Sequence, residues 1–130
     1  PEAARLTALK GAEVLIYPTA IGWDNLESSS EINREQYQAW QTVQRGHAVA
    51  NEVPVISVNR VGEENGQTFW GGSFVSNAFG RVLYQAPHNS EEVAVVEIDL
   101  DAQEQYRRIW PFMRDRRIDS FEGITQRYLD

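Results

Sequence analysis

Two short apolar runs constrain this chain more than any other feature. The first is Glu13-Val14-Leu15-Ile16-Tyr17, ended by Pro18; the second is Val53 to Asn59, with Pro54 near its start. Both are continuous rather than alternating, the pattern of strands covered on both faces. Between them the spacing predicts one long helix, from about Ile32 to Asn51, with Trp40, Val43, His47 and Ala50 on one stripe. Gly46, Ala48 and Ala50 keep its surface low for close packing. Ser28-x-x-Glu31 has the form of a capping box in front of it. Buried strands alternating with helices require a layered α/β fold.

The flanking segments extend that pattern. Pro1 to Lys10 reads as a helix, with proline at the first turn, Glu2 at the positive end of the dipole and Gly11 as the stop. Glu63-Glu64-Asn65-Gly66 is a turn. Phe69–Val75 and Arg81–Gln85 form a hairpin around Asn77-Ala78-Phe79-Gly80. Glu92 to Leu100 is rich in β-branched residues and reads as a further strand. Asp101 caps a helix from Ala102 to Trp110, stopped by Pro111, and a charged tail follows from Phe112 to Asp130. The expected order is α-β-α-β-β-β-β-α-tail around a mixed sheet, in one domain without repeats or linkers.

Composition narrows the chemistry. Twelve basic against nineteen acidic residues give a formal charge of −7, which disfavours nucleic acid and anionic membrane as partners and suits a cationic ligand. Cysteine is absent, so the chain has no thiolate nucleophile and no cysteine metal site. His47 and His88 are the only histidines, and no metal site is expected. Lys10 is the only lysine. No run approaches the ~20 apolar residues of a membrane span, and no signal peptide is visible. The start at Pro1 rather than Met reads as processed, trimmed or truncated.

Several residues invite a functional reading. Gly71-Gly72-Ser73-Phe74-Val75 fails as a nucleophile elbow, which needs glycine where Val75 stands; the glycines read as points of close backbone approach. His47 reads as a packed helix histidine and His88 as a solvent-facing turn residue. Arg107, Arg108, Arg114, Arg116 and Arg117 interleave with Asp115 and Asp119 as salt-bridged tail packing. Trp23 and Asp24 stand in a loop just past a strand end, where α/β sheets form ligand pockets. A free Pro1 amine could serve as a general base, as in an N-terminal-proline tautomerase.

Taken as motifs, Pro1-Glu2-Ala3-Ala4-Arg5-Leu6, Gly11-Ala12-Glu13-Val14-Leu15-Ile16-Tyr17-Pro18-Thr19-Ala20-Ile21-Gly22-Trp23-Asp24, Gln44-Arg45-Gly46-His47-Ala48-Val49-Ala50-Asn51, Pro54 to Gly62, Phe69 to Val75 and Arg107 to Asp119 resemble the nitrilase superfamily of carbon–nitrogen hydrolases. Within it they are most similar to the branch that hydrolyses N-carbamoylputrescine. Glu52-Val53 stands where a Gly-Leu pair is common, Gly72 where asparagine is usual, and the loop from Glu63 to Thr68 is short.

The resemblance implies that residues 1–130 are the C-terminal part of a single domain, half of a four-layer αββα sandwich. It implies a Glu-Lys-Cys mechanism in which the thiolate attacks a ureido carbonyl, glutamate moves protons and lysine steadies the oxyanion, releasing putrescine, CO2 and ammonia without a cofactor. None of the three residues is in this chain; the cysteine would precede Pro1 by about six positions, and Lys10 does not match the triad lysine. The chain is therefore expected to be inactive alone. Thr19, Ala20, Ile21, Gly22, Trp23 and Asp24 would line the pocket, with Asp24 meeting the distal ammonium of a small cationic ureido substrate. The resemblance further implies a cytoplasmic homo-oligomer built through helices 1–10 and 32–51 and the C-terminal tail. The competing reading is a binding or scaffold module that has the fold without the triad.

Overall fold

The computed structural model describes residues 1–25 and 30–129. Helix α1 spans Glu2–Leu9, strand β1 Leu15–Thr19, helix α2 Ser30–Asn51 and strand β2 Val55–Asn59. Strands β3 (Val61–Glu64), β4 (Gln67–Trp70), β5 (Phe74–Ser76) and β6 (Val82–Gln85) follow, then helix α3 (Ala102–Ile109) and two 3-10 turns in the tail. Ser28 of the expected capping box lies outside the described residues.

The main sheet has the order β1-β2-β5-β6 and is mixed, as expected. β1 and β2 are parallel, with Leu15 opposite Val55 and Thr19 opposite Asn59. A parallel pair needs a crossover, and α2 provides it. β2, β5 and β6 continue antiparallel.

Pro18 does not end the first strand. It pairs with Val58 inside β1, which has β2 as its one neighbour among the described residues, so a missing N–H is tolerated. The stretch from Phe69 to Val75 is two strands, not one: β4 turns back on β3 through Asn65-Gly66 as a separate hairpin, while β5 pairs with β6. The break falls at Gly71 and Gly72, both in the left-handed region at φ 56 and 63.

Residues 4, 15, 48, 53 and 55 form the core beneath the sheet, with Ala12 and Tyr17 against it. α2 buries Gln44, Ala48 and Asn51; of the expected stripe, Trp40 packs against the buried Trp70 and Phe74 and His47 against Tyr17, whereas Val43 is half exposed. The Gln44 side chain meets the Ser57 hydroxyl, a buried polar pair that lets a glutamine face the sheet. On α1 the buried residue is Ala4, and Leu6 and Leu9 are exposed.

The expectation of strands covered on both faces is met on one face only. Leu15, Val55 and Ser57 are buried under the helices, whereas Ile16 and Val58, pointing the other way, are 63% and 50% exposed. A cavity of about 800 Å3 opens on that second face, lined among others by Ile56, Val58, Val75, Tyr84, Ala94 and Val96. The β-rich run from Glu92 to Leu100 forms no strand, and Val93 and Val95 are almost fully exposed. It has no ladder partner among the described residues, so its propensity is unused.

Asp101 precedes α3 without capping it. The first-turn N–H of Ala102 is accepted by Asp99 Oδ1 at 3.1 Å instead. Pro111 follows the helix end as expected.

Candidate functional site

The loop that leaves β1 is held on both sides. Asn59, the last residue of β2, lies opposite Thr19 in the parallel register, so its side chain reaches the loop as the chain departs. Its Oδ1 accepts from Thr19 Oγ1 at 2.9 Å and from the Ile21 N–H at 3.0 Å. Its Nδ2 donates to Ile21 O at 2.9 Å and to Gly71 O at 3.0 Å. Two acceptor and two donor positions are all an amide offers, and each is used. Asn59 is itself buried, and its own N–H is accepted by Ser73 Oγ at 2.9 Å. The next residue repeats the grip: the Arg60 N–H donates to Thr19 O at 3.0 Å.

The β4 strand secures the other side. The Trp23 N–H donates to Thr68 O at 2.9 Å, and Gln67 Nε2 donates to Trp23 O at 2.8 Å. Gly22 forms an isolated antiparallel bridge with Phe69. Glycine is required there: a Cβ would stand 2.2 Å from Thr68 O.

Beyond the loop the rings of Trp23, Tyr37, Trp70 and His88 pack together. Trp23 lies 5.3 Å from Trp70 and 5.9 Å from His88, and Tyr37 meets His88 edge-on at 4.7 Å. His88 is exposed, as expected, but not unattached, since its Nδ1 sits 2.6 Å from Trp70 O. Burial raises the Tyr37 phenol above its ordinary pKa. Gly72 lets these rings approach, for a Cβ there would lie 2.9 Å from the Tyr37 ring. The reading of Gly71 and Gly72 as points of close approach holds.

The candidate residues thus divide. Thr19, Ile21, Gly22 and Trp23 are gathered by Asn59 and β4. Ala20 and Asp24 are exposed, and the Asp24 N–H donates to Asn33 Oδ1 at 3.0 Å. None of residues 19–24 lines the 800 Å3 cavity, which Asn59, Gly71 and Ser73 border, or the smaller one beside Glu52 and Arg107. Asn59 and Gln67 did not stand out in the sequence. The signal for Asn59 was a polar residue at the end of a mostly apolar strand.

The remaining candidates are structural in their contacts. His47 packs against Tyr17 at 6.0 Å, and burial lowers its pKa. Arg114 and Arg117 pair with Asp115 and Asp119, and Arg108 with Glu104. Pro1 is exposed, with its nitrogen 3.2 Å from the Glu2 carboxylate. No group of three His, Cys, Asp or Glu among the described residues could hold a metal ion. What remains is the loop from Thr19 to Asp24, hydrogen-bonded to Asn59 on one side and to β4 on the other, in a chain without cysteine.

A parallel strand pair crossed by one long helix and continued by two antiparallel strands defines a mixed α/β fold. The carbon–nitrogen hydrolase profile matches residues 1–108, and the chain belongs to that family. It is 38% identical over 132 residues to an N-carbamoylputrescine amidase of Oryza sativa subsp. japonica, covering 95% of this chain and 42% of that protein. A citrullinase of Francisella tularensis is 37% identical, covering 98% and 45%. The crystal structure of a carbon–nitrogen hydrolase from Helicobacter pylori matches with a TM-score of 0.95 at 51% identity, covering 99% of this chain and 46% of that one. The chain therefore spans less than half the length of these relatives. No helix among the described residues is long and apolar enough to cross a membrane.

Proposed function

We propose that this chain is part of a hydrolase acting on the ureido C–N bond of a small cationic substrate such as N-carbamoylputrescine, and that it supplies the part of the domain following the nucleophile. The observation that carries the substrate class is the pairing of relatives: carbamoylated putrescine and citrulline are both terminal ureas on an aliphatic chain bearing an ammonium group. The net charge of −7 suits such a cation.

The thiolate, glutamate and lysine of a Glu-Lys-Cys mechanism are supplied from outside these residues, because the chain has no cysteine and its one lysine is exposed on the turn after α1. What the chain contributes is the wall from Thr19 to Asp24. A pinned wall favours catalysis by holding the ureido carbonyl at one distance from an attacking group, an orientation effect. Asp24, exposed at the end of that wall, is the carboxylate offered to the distal ammonium. The order within the domain rests on the resemblance of Pro1 to Leu6 to the run after the family's cysteine. Exposed Leu6, Leu9 and Val43 on α1 and α2 support a homo-oligomer through those helices and the tail.

The test is ammonia release from N-carbamoylputrescine by this chain alone and by the protein read from the continuous frame around it. The expected result is none from the chain, turnover from the longer protein, and a cysteine codon about six positions before Pro1. Turnover by the chain alone would overturn the reading, as would a frame opening at Pro1 with its cysteine beyond Asp130.

A further inference from the structure

We propose that Asn59 is the positioning residue of the substrate wall: its amide, more than the loop's own sequence, sets where Thr19 to Ile21 stand, and so governs substrate affinity. This rests on the reading of that loop as the substrate wall. β1 ends at Thr19, and ladder pairing with β2 ends with it. Two residues on, the Asn59 side chain takes both the N–H and the C=O of Ile21, at 3.0 and 2.9 Å, and the Trp70 N–H of β4 adds a longer bond to the same C=O at 3.4 Å. Asn59 thus stands in for the neighbouring strand that the loop has left. Its remaining donor fixes Gly71 O at 3.0 Å, and its remaining lone pair takes Thr19 Oγ1 at 2.9 Å. One amide therefore ties β1's exit to the Gly71-Gly72 break between β4 and β5. Asn59 also borders the 800 Å3 cavity.

The geometry allows no isosteric replacement. In Asn59→Asp the oxygen in place of Nδ2 faces two carbonyl oxygens, Ile21 O and Gly71 O, and both contacts turn repulsive. Thr19→Val removes one of the four bonds and introduces no charge.

The experiment has two arms. In the first, amide exchange of this chain is followed by NMR for wild type, Asn59→Asp and Thr19→Val. The Ile21 amide of Asn59→Asp should exchange about tenfold faster, the equivalent of one part-buried hydrogen bond, with Ile56 and Ser57 unchanged. Thr19→Val should move Ile21 by less. Unaltered Ile21 exchange, or faster exchange across β2 alike, overturns the positioning role; if Asn59→Asp does not fold, unaltered exchange in Thr19→Val does the same.

In the second arm the same variants are made in the complete enzyme. KM for N-carbamoylputrescine should rise severalfold with kcat nearly retained. A fall in kcat at constant KM overturns the link to affinity. Absence of N-carbamoylputrescine turnover in the wild-type enzyme would sink the functional reading instead, and the exchange arm would still decide the role of Asn59.

Discussion

Glu52 follows the last residue of α2, where the chain takes a left-handed turn at φ 54. That conformation costs a side-chain-bearing residue about 1 kcal/mol or more relative to glycine. The side chain is 1% exposed, and neither carboxylate oxygen has a hydrogen-bond partner among the described residues. An unpartnered buried polar group costs about 1–3 kcal/mol. Burial raises the Glu52 pKa, and Arg107 and Arg5 act against that from beyond ion-pair reach.

The sign for pH follows from this. A raised native pKa means that the folded state holds the proton more tightly, so stability falls as pH rises from the ordinary carboxylate range through the native value. Glu52→Gln removes the charge and keeps the shape. It should be about 1 kcal/mol more stable than wild type at pH 7, or about 3–4 °C in Tm for a chain of this length, with the gap closing near pH 4. Glu52→Gly also relieves the backbone, while losing roughly 1 kcal/mol of packing and as much in chain entropy, so it should come out near Glu52→Gln. Thermal melts by circular dichroism at pH 4 and pH 7 measure both. If Glu52 instead forms a working ion pair with Arg5 or Arg107, Glu52→Gln would lose about 3–5 kcal/mol at pH 7, and the reasoning fails.

Gly22→Ala should cost at least 3 °C in Tm and red-shift Trp23 fluorescence, because its Cβ meets Thr68 O at 2.2 Å and the loop must leave β4; an unchanged spectrum would show that the loop yields freely. His47, whose pKa burial lowers, should make the chain less stable as pH falls below about 6.5, and His47→Phe should flatten that slope in the same melts. Light scattering at tens of micromolar should give a mass above 14.8 kDa, and a monomeric mass would argue against association through α1 and α2. Val58→Thr should change this chain's stability by no more than about 0.5 kcal/mol, since the side chain is half exposed, but should cost the complete enzyme about 1–2 kcal/mol. Equal effects in the two would mean that the second sheet face stays open.

Helices were legible in outline because their signals are local. Gly11 after α1, Pro111 after α3 and the long polar-apolar period of α2 each act within a turn of the chain. The faces of those helices were less legible. A hydrophobicity stripe placed Val43 inside, whereas the structure buries Gln44, whose amide meets Ser57 on a strand thirteen residues away. Long-range polar pairing leaves no periodic trace. The split at Gly71-Gly72 failed for a related reason: glycines at φ 56 and 63 look like any glycines until the backbone that crowds them is known. The loop at Thr19 to Asp24 could be singled out by its place after a strand, but the residues that hold it, Asn59, Gln67 and Thr68, come from two other strands.

The places where the pattern and the structure part company share a cause. Continuous apolarity in β1 and β2 specifies burial on both faces, yet Ile16 and Val58 look outward. The run Val93-Ala94-Val95-Val96 has strand composition, yet no ladder partner lies among the described residues. Each is a local preference left unsatisfied by the helices this chain provides, and sequences that fold uniquely seldom keep such conflicts without a compensating contact. At Ile56, Val58 and Val75 the contact has to be apolar, although Ser73, Tyr84 and Glu92 border the same cavity with polar groups. It also has to bring a strand edge, because the backbone from Val93 to Val96 offers donors and acceptors in a row. A second sheet layer meets both demands at once. The helix-covered face needs neither, which is why Leu15, Val55 and Ser57 are already buried on that side of the sheet.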